Sequence, residues 1–81
     1  MVYQFLADGF EIVEAMFPLD LLRRAGVEVA TVGIAGTRVK SSAGVVVEAD
    51  IDGRDFVLPQ DAEMVLLPGG MPGTTNLLNS A

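Results

Sequence analysis

The chain contains no cysteine, no histidine and no tryptophan, and only five of its residues are lysine or arginine. Without cysteine there can be no disulfide framework, and without cysteine or histidine we expect no zinc or iron–sulfur site. The five basic residues are scattered among eleven acids, and the net charge is −6. No basic patch is therefore available to hold a nucleic-acid backbone.

Long hydrophobic runs are also missing from the sequence. The longest uninterrupted apolar stretches have the length of a β-strand, whereas a helix needs roughly 20 apolar residues to cross a bilayer. The first residues do not show the basic and then apolar segments of a secretory signal. We therefore expect a cytoplasmic protein without a membrane role.

The sequence does contain enough apolar side chain for one small core, because 51% of its 81 residues are hydrophobic. A chain of this length buries only a modest fraction of its unfolded surface, so one domain, or part of one, is the upper limit. We interpret residues 1–81 as the N-terminal portion of a single α/β domain.

The spacing of the apolar residues predicts strands separated by a helix. Val2 to Ala7 is typical of a strand buried on both faces. Phe10 to Ala25 has apolar side chains at spacings of three and four, which predicts an amphipathic helix, and Pro18 predicts a kink or a restart within it. Further core strands are predicted at Val27 to Val32 and at Met64 to Leu67.

An antiparallel hairpin is predicted between the last two core strands and outside the main sheet. Arg38 to Lys40 and Val45 to Glu48 flank a short Ser-Ser-Ala-Gly turn. We interpret residues 50–61 as a polar connection with one helical turn, and residues 71–81 as a loop that leads into a helix. This order favours an open parallel sheet, in which one helix leaves a sheet face to be covered by further sequence or by a partner chain.

The carboxyl ends of the strands are the place to look for a ligand site in such a sheet. Glu11 and Glu14 lie in the first turns of the predicted helix at that edge, and Gly69 and Gly70 follow the last strand. Two acids here could simply stabilise the helix dipole, by about 0.3–1 kcal/mol, and two glycines could simply form a turn. Alternatively, a partly desolvated Glu14 could share a proton with a nucleophile, and the glycine amides could bind an oxyanion.

Nucleotide cofactors are not indicated, since neither G-x-G-x-x-G nor G-x-x-x-x-G-K-[ST] occurs in the sequence. Arg23 and Arg24 could bind an anion. Two cations in the last turn of a helix more often complement its dipole or belong to an interface.

Taken together, three segments resemble the ThiJ/PfpI family, which includes the DJ-one-like proteins of the class I glutamine amidotransferase-like superfamily. They are LADGFE at residues 6–11 with Glu14, PLDLLRRAG at residues 18–26, and VLLPGGMPG at residues 65–73 with Asn76 and Leu77. The resemblance extends over essentially the whole chain, and the segments occur in the family's order.

The resemblance implies a flavodoxin-like parallel sheet with helices on both faces, which this chain would leave incomplete. It also implies a homodimer and a reactive cysteine on an elbow after the next strand. Glu14 matches the acid that hydrogen-bonds this cysteine, and Gly69 and Gly70 match the turn whose amides line the oxyanion pocket. The residues that match the dimer interface are Asp20, Arg23 and Arg24.

The family's assigned activities include glyoxalase and deglycase chemistry on reactive carbonyls, peptidase action, chaperone behaviour and protection against redox stress. Bacterial members are often described as thiazole monophosphate biosynthesis proteins. Because this chain has no cysteine, we do not expect it to catalyse the family reaction alone. The leading hypothesis is a cysteine-dependent hydrolase or lyase acting on small carbonyl compounds without a cofactor, completed by further sequence or by a second chain. The alternatives are a non-catalytic stress or chaperone-like module, and an anion-binding flavodoxin-like domain that uses Arg23 and Arg24.

Overall fold

Residues 1–69 are described by the computed structural model, and they form a four-stranded sheet, a two-stranded sheet and one long helix. The helix predicted within residues 71–81 lies outside the described part. In chain order the elements are β1 (Val2–Leu6), α1 (Ile12–Arg24), β2 (Val29–Gly33), β3 (Arg38–Lys40), β4 (Val46–Glu48), β5 (Ile51–Asp52), a 3₁₀ turn (Gly53–Asp55) and β6 (Met64–Leu66).

The main sheet is parallel and has the strand order β5-β2-β1-β6. Strand β1 is central: Val2 lies opposite Val29 of β2 on one side and opposite Met64 of β6 on the other. The helix α1 forms the crossover from β1 to β2, as a parallel pair requires. Strands β2 and β6 flank β1 on opposite sides, so the direction in which the chain adds strands to the sheet reverses at β1. Such a point in a parallel sheet leaves a crevice at the carboxyl end of the central strand. The predicted parallel α/β class is confirmed.

One strand of the sheet was not anticipated from the sequence. Ile51 and Asp52 pair with Val32 and Gly33, where a polar connection was expected. The strand is only two residues long, and so short a segment carries no period-2 pattern that could identify it. The predicted helical turn is present as the 3₁₀ turn that follows, and the Asp52 carboxylate caps it.

Pro18 lies inside helix α1, which is continuous from Ile12 to Arg24, so of the two predicted alternatives, a kink or a restart, the restart does not occur. Proline has no N–H, so one backbone hydrogen bond of the helix is missing at this point. The helix ends where Gly26 adopts a left-handed φ of 82° and the N–H of Val27 donates to the carbonyl of Leu22. Within residues 1–69 no helix is long and apolar enough to cross a bilayer.

The core lies between one face of the sheet, helix α1 and the β3–β4 hairpin. The hairpin is antiparallel and separate from the main sheet, as the sequence predicted. It packs Val39 into one buried cluster with Leu6, Phe10, Ala15 and Ala49. A second cluster near the start of β1 contains Val2, Leu19 and Val29.

The opposite face of the sheet is largely open in the described part of the chain. Tyr3 and Phe5 of β1 are half-buried, and the ring of Phe56 contacts both, with centroid distances of 5.2 and 6.0 Å. Val57 nearby is 83% exposed, and Val65 of β6 is 38% exposed. No helix within residues 1–69 covers this face, which agrees with the expectation of an incomplete fold.

Candidate functional site

The loop that leaves the carboxyl end of β1 is fixed by the neighbouring hairpin. Gly9 takes a left-handed φ of 89°, and its N–H donates to the carbonyl of Lys40 at 2.8 Å. The Asp8 carboxylate accepts the N–H of Lys40 at 3.0 Å, and the carbonyl of Phe10 accepts the N–H of Ser42 at 2.8 Å. Phe10 is fully buried. These contacts between β1 and the hairpin give a rigid start to helix α1.

Glu11 connects this loop to the segment that follows β6. Its side chain caps the helix by accepting the N–H of Glu14 at 2.6 Å. Its own N–H donates to the carbonyl of Gly69 at 2.8 Å. The sequence suggested only that Glu11 faces the same rim as Glu14. The hydrogen bond to Gly69 could not be found from the sequence, since it joins residues far apart in the chain.

Glu14 and Gly69, which the sequence singled out separately, lie against each other. A Cβ atom added to Gly69 would lie 3.0 Å from Oε1 and 3.5 Å from Oε2 of Glu14. Glu14 is exposed in the described part of the chain, so the desolvation expected from its apolar neighbours is not supplied by residues 1–69. Gly70 lies outside the described residues. The structure thus places a carboxylate beside a residue without a side chain, at the carboxyl edge of the sheet.

The acids near this edge do not form a metal site. Nowhere within residues 1–69 do three or more acidic side chains converge as metal ligands would. Asp8 and Glu11 instead accept backbone N–H groups of Lys40 and Glu14. These two carboxylates therefore fix the shape of the site, while Glu14 presents its carboxylate to Gly69.

The three residues assigned to an interface by resemblance have different surroundings. Arg24 donates to both carboxylate oxygens of Asp20 at 3.0 and 3.1 Å, and this pair is exposed. Arg23 donates to Asp50 and to the carbonyl of Val29, each at 2.8 Å. Arg23 therefore ties the end of α1 to the sheet within the chain, whereas Asp20 and Arg24 remain on the outer surface of the helix.

An apolar stripe runs along the same outer surface of α1. Val13 is 64% exposed, Phe17 63% and Leu21 50%. Residues four positions apart lie one above the other on a helix, so these three side chains are contiguous. Asp20 and Arg24 flank the stripe, so the exposed side of the helix is apolar along its middle with one ion pair beside it.

Asp50 lies outside the candidate site and accepts hydrogen bonds from Thr31 and Arg23. The backbone N–H of Thr31 donates to its Oδ2 at 3.0 Å and holds the pKa of the carboxyl below its usual value, and partial burial opposes this only in part. The hydroxyl of Thr31 and the guanidinium of Arg23 act in the same direction. The cluster joins α1, β2 and the start of β5, and it serves the fold.

Comparisons with known sequences agree with this architecture. The sequence model of the DJ-1/PfpI family matches residues 1–81. The chain is 40% identical to the Parkinson disease protein 7 homolog of Danio rerio, over 93% of this chain and 40% of that protein. It is 36% identical to Protein DJ-1alpha of Drosophila melanogaster, over 94% of this chain and 36% of that protein. The chain therefore spans less than half the length of these relatives.

Solved structures give the same result for the fold. Toxoplasma gondii DJ-1, in an oxidized form, superposes with a TM-score of 0.90 at 36% identity, over 99% of this chain and 44% of that one. Drosophila melanogaster DJ-1beta superposes with a TM-score of 0.83 at 35% identity, over 91% of this chain and 40% of that one. By its sequence along the whole length and by its fold, the chain belongs to the DJ-1/PfpI family.

Proposed function

We propose that this chain is the N-terminal part of a cysteine-dependent enzyme that acts on small reactive carbonyl compounds. The observation that carries the proposal is the Glu14 carboxylate beside Gly69 at the carboxyl edge of the sheet. The nucleophile must come from polypeptide outside this chain, because the chain has no cysteine. The relatives are more than twice as long as the matched segment, which leaves room for such a residue.

In the proposed reaction, Glu14 takes up or shares the proton of a thiol supplied by that polypeptide. The thiolate then attacks the aldehyde carbon of the substrate, a C–S bond forms, and the carbonyl electron pair moves to oxygen. The proton passes to this oxygen and completes a hemithioacetal. Backbone N–H groups of Gly69 and Gly70 would stabilise the oxyanion, and the lack of side chains there would leave space for a small substrate.

A test of this proposal needs this chain together with the polypeptide that supplies the thiol, whether continuous with this chain or a second chain. The probe is methylglyoxal, a small 2-oxoaldehyde, and the measurement is its rate of consumption. We expect Glu14→Gln to lower kcat by about 10²- to 10⁴-fold, the usual contribution of a general acid or base. Glu28→Gln is the matched control, because it removes one exposed glutamate at the far end of the sheet.

Two results would contradict the enzyme hypothesis. One is that the polypeptide completing the domain contains no cysteine, and the other is full activity in Glu14→Gln. Either result would favour the non-catalytic stress or chaperone-like role over catalysis.

We also propose that the outer surface of α1 binds a second copy of the chain. The exposed apolar stripe of Val13, Phe17 and Leu21 supports this proposal, because contiguous exposed apolar side chains mark association surfaces. Sedimentation analysis should show a dimer for the wild type and a monomer for Phe17→Glu. Val45→Glu is the control, since Val45 is 50% exposed at the hairpin, away from the stripe. An unchanged mass for Phe17→Glu would refute the proposed interface.

A further inference from the structure

A polar side chain lies completely buried in the central strand. Gln4 is 0% exposed, and its neighbours on the same face of β1 are Val2 and Leu6. Burying an amide among apolar residues is unfavourable unless hydrogen bonds replace those lost to water. The apolar pattern of β1 does not account for a glutamine here, so the contacts of the side chain must explain it.

Of the two polar atoms in the Gln4 side chain, only the nitrogen has a hydrogen-bond partner within residues 1–69. Its Nε2 donates to the backbone carbonyl of Ala15 at 2.7 Å, across the interface between β1 and α1. Its Oε1 is buried and has no hydrogen-bond partner among residues 1–69. The amide therefore secures one backbone atom of the helix, and that atom belongs to the residue directly after Glu14.

Pro18 gives this contact a specific importance. Proline has no N–H, so the carbonyl of Glu14 does not receive the usual hydrogen bond from four residues later. The helix is thus weakened in the turn that carries Glu14. Two hydrogen bonds to other parts of the chain hold the same turn. The Glu11 N–H donates to the carbonyl of Gly69, and the Gln4 side chain donates to the carbonyl of Ala15.

We propose that Gln4 is a positioning residue for Glu14, which it places against Gly69 by tying the Ala15 carbonyl to the central strand. Its catalytic consequence rests on the proposed function of Glu14. The effect of Gln4 on the position of the helical turn does not depend on that proposed function, because this position can be measured without any substrate.

The first readout is amide hydrogen exchange in the full chain, followed by NMR. The Gln4→Met variant keeps the length of the side chain and removes the donor. We expect the amides of Glu11 and Glu14 to exchange about tenfold faster, because both hydrogen bonds depend on the position of this turn. Amides in the middle of β1 and β2 should exchange as in the wild type.

The second readout is the kinetics of the protein that carries the nucleophile, again with methylglyoxal as the probe. Displacement of a catalytic group lowers the turnover rate more than it lowers the affinity for the substrate. Gln4→Met should therefore lower kcat by about 10- to 100-fold and leave KM nearly unchanged. A purely structural residue would produce no such split between kcat and KM in a protein that remains folded.

Thr31→Val is the matched control. Thr31 is also a buried polar residue, it lies opposite Gln4 in the neighbouring strand, and its hydrogen bonds go to Asp50 instead of to α1. This variant should leave the exchange of the Glu11 and Glu14 amides unchanged relative to the rest of the core. If Gln4→Met fails to fold, Gln4→Asn replaces it, because this amide is one methylene too short to reach Ala15.

Unchanged exchange at Glu11 and Glu14 in the Gln4 variant would overturn the proposal, and so would equal acceleration by Thr31→Val. Selective acceleration, together with full activity of Glu14→Gln, would confirm the positioning role and refute the proposed catalytic role. The failures of the two proposals can thus be told apart.

Discussion

The contact between Glu14 and Gly69 can be measured through the substitution Gly69→Ala. Gly69 is not among the glycines with positive φ, so its backbone can accept an alanine. The new Cβ would meet Glu14 Oε1 at 3.0 Å and Oε2 at 3.5 Å. Ordinary van der Waals contact begins at 3.4 Å, so the carboxylate must move by a few tenths of an ångström.

The expected energies are small but opposed. Glu14 is an exposed and flexible side chain, so its displacement should cost less than about 1 kcal/mol, at the low end of overpacking effects. Replacement of glycine by alanine stabilises a compatible site by about 0.4–1 kcal/mol through the unfolded chain. Gly69→Ala alone should therefore change the free energy of unfolding by less than about 0.5 kcal/mol. In the Glu14→Ala background only the gain should remain, which gives a coupling of about 0.5–1 kcal/mol.

The assay is urea unfolding followed by far-ultraviolet circular dichroism for the wild type, the two single variants and the double variant. A second cycle, with Glu28→Ala in place of Glu14→Ala, is the control and should give no coupling. Zero coupling between Gly69→Ala and Glu14→Ala would show that the carboxylate does not lie against Gly69. The reasoning behind the candidate site would then be refuted.

Three further predictions concern the fold around the site. The pKa of Asp50 is lowered from 3.8, so its carboxylate stabilises the fold above that pH, and this stability is lost as the pH falls through the folded-state pKa. Asp50→Asn should therefore make the urea midpoint less dependent on pH in the acid range. An unchanged dependence would contradict this reasoning. Gly33→Ala places a Cβ far inside van der Waals contact with the carbonyl oxygen of Gly36, so we expect a loss of about 3 kcal/mol or more in unfolding free energy. An unshifted urea midpoint would disprove this close approach. Gln4→Met removes a buried oxygen that has no hydrogen-bond partner in residues 1–69. Thermal melting should therefore show equal or higher stability, by up to about 1 kcal/mol. A lower melting temperature would mean that the lost hydrogen bond to Ala15 contributes more than the unpaired oxygen costs.

Local patterns in the sequence were sufficient for most of the secondary structure. Apolar runs between turn signals identified β1, β2 and β6, and the spacing of three and four identified α1. The glycine-containing turn identified the hairpin. These signals are readable because each is carried by residues adjacent in the chain. The segments around Glu14 and Gly69 also carried the resemblance to the family that the comparisons then confirmed.

The tertiary structure decided what depends on contacts between distant residues. The two-residue strand β5 exists only because β2 offers it a partner, and no local pattern of that length could show it. The bond from Gln4 to Ala15 and the bond from Glu11 to Gly69 cross between elements, so their geometry is set by how helix and sheet pack. The sequence by itself therefore determined most of the elements, the family, and Glu14 and Gly69 as candidate site residues. Only the packed fold brought Glu14 and Gly69 together, because parallel strands that are distant in the chain end at the same edge of the sheet.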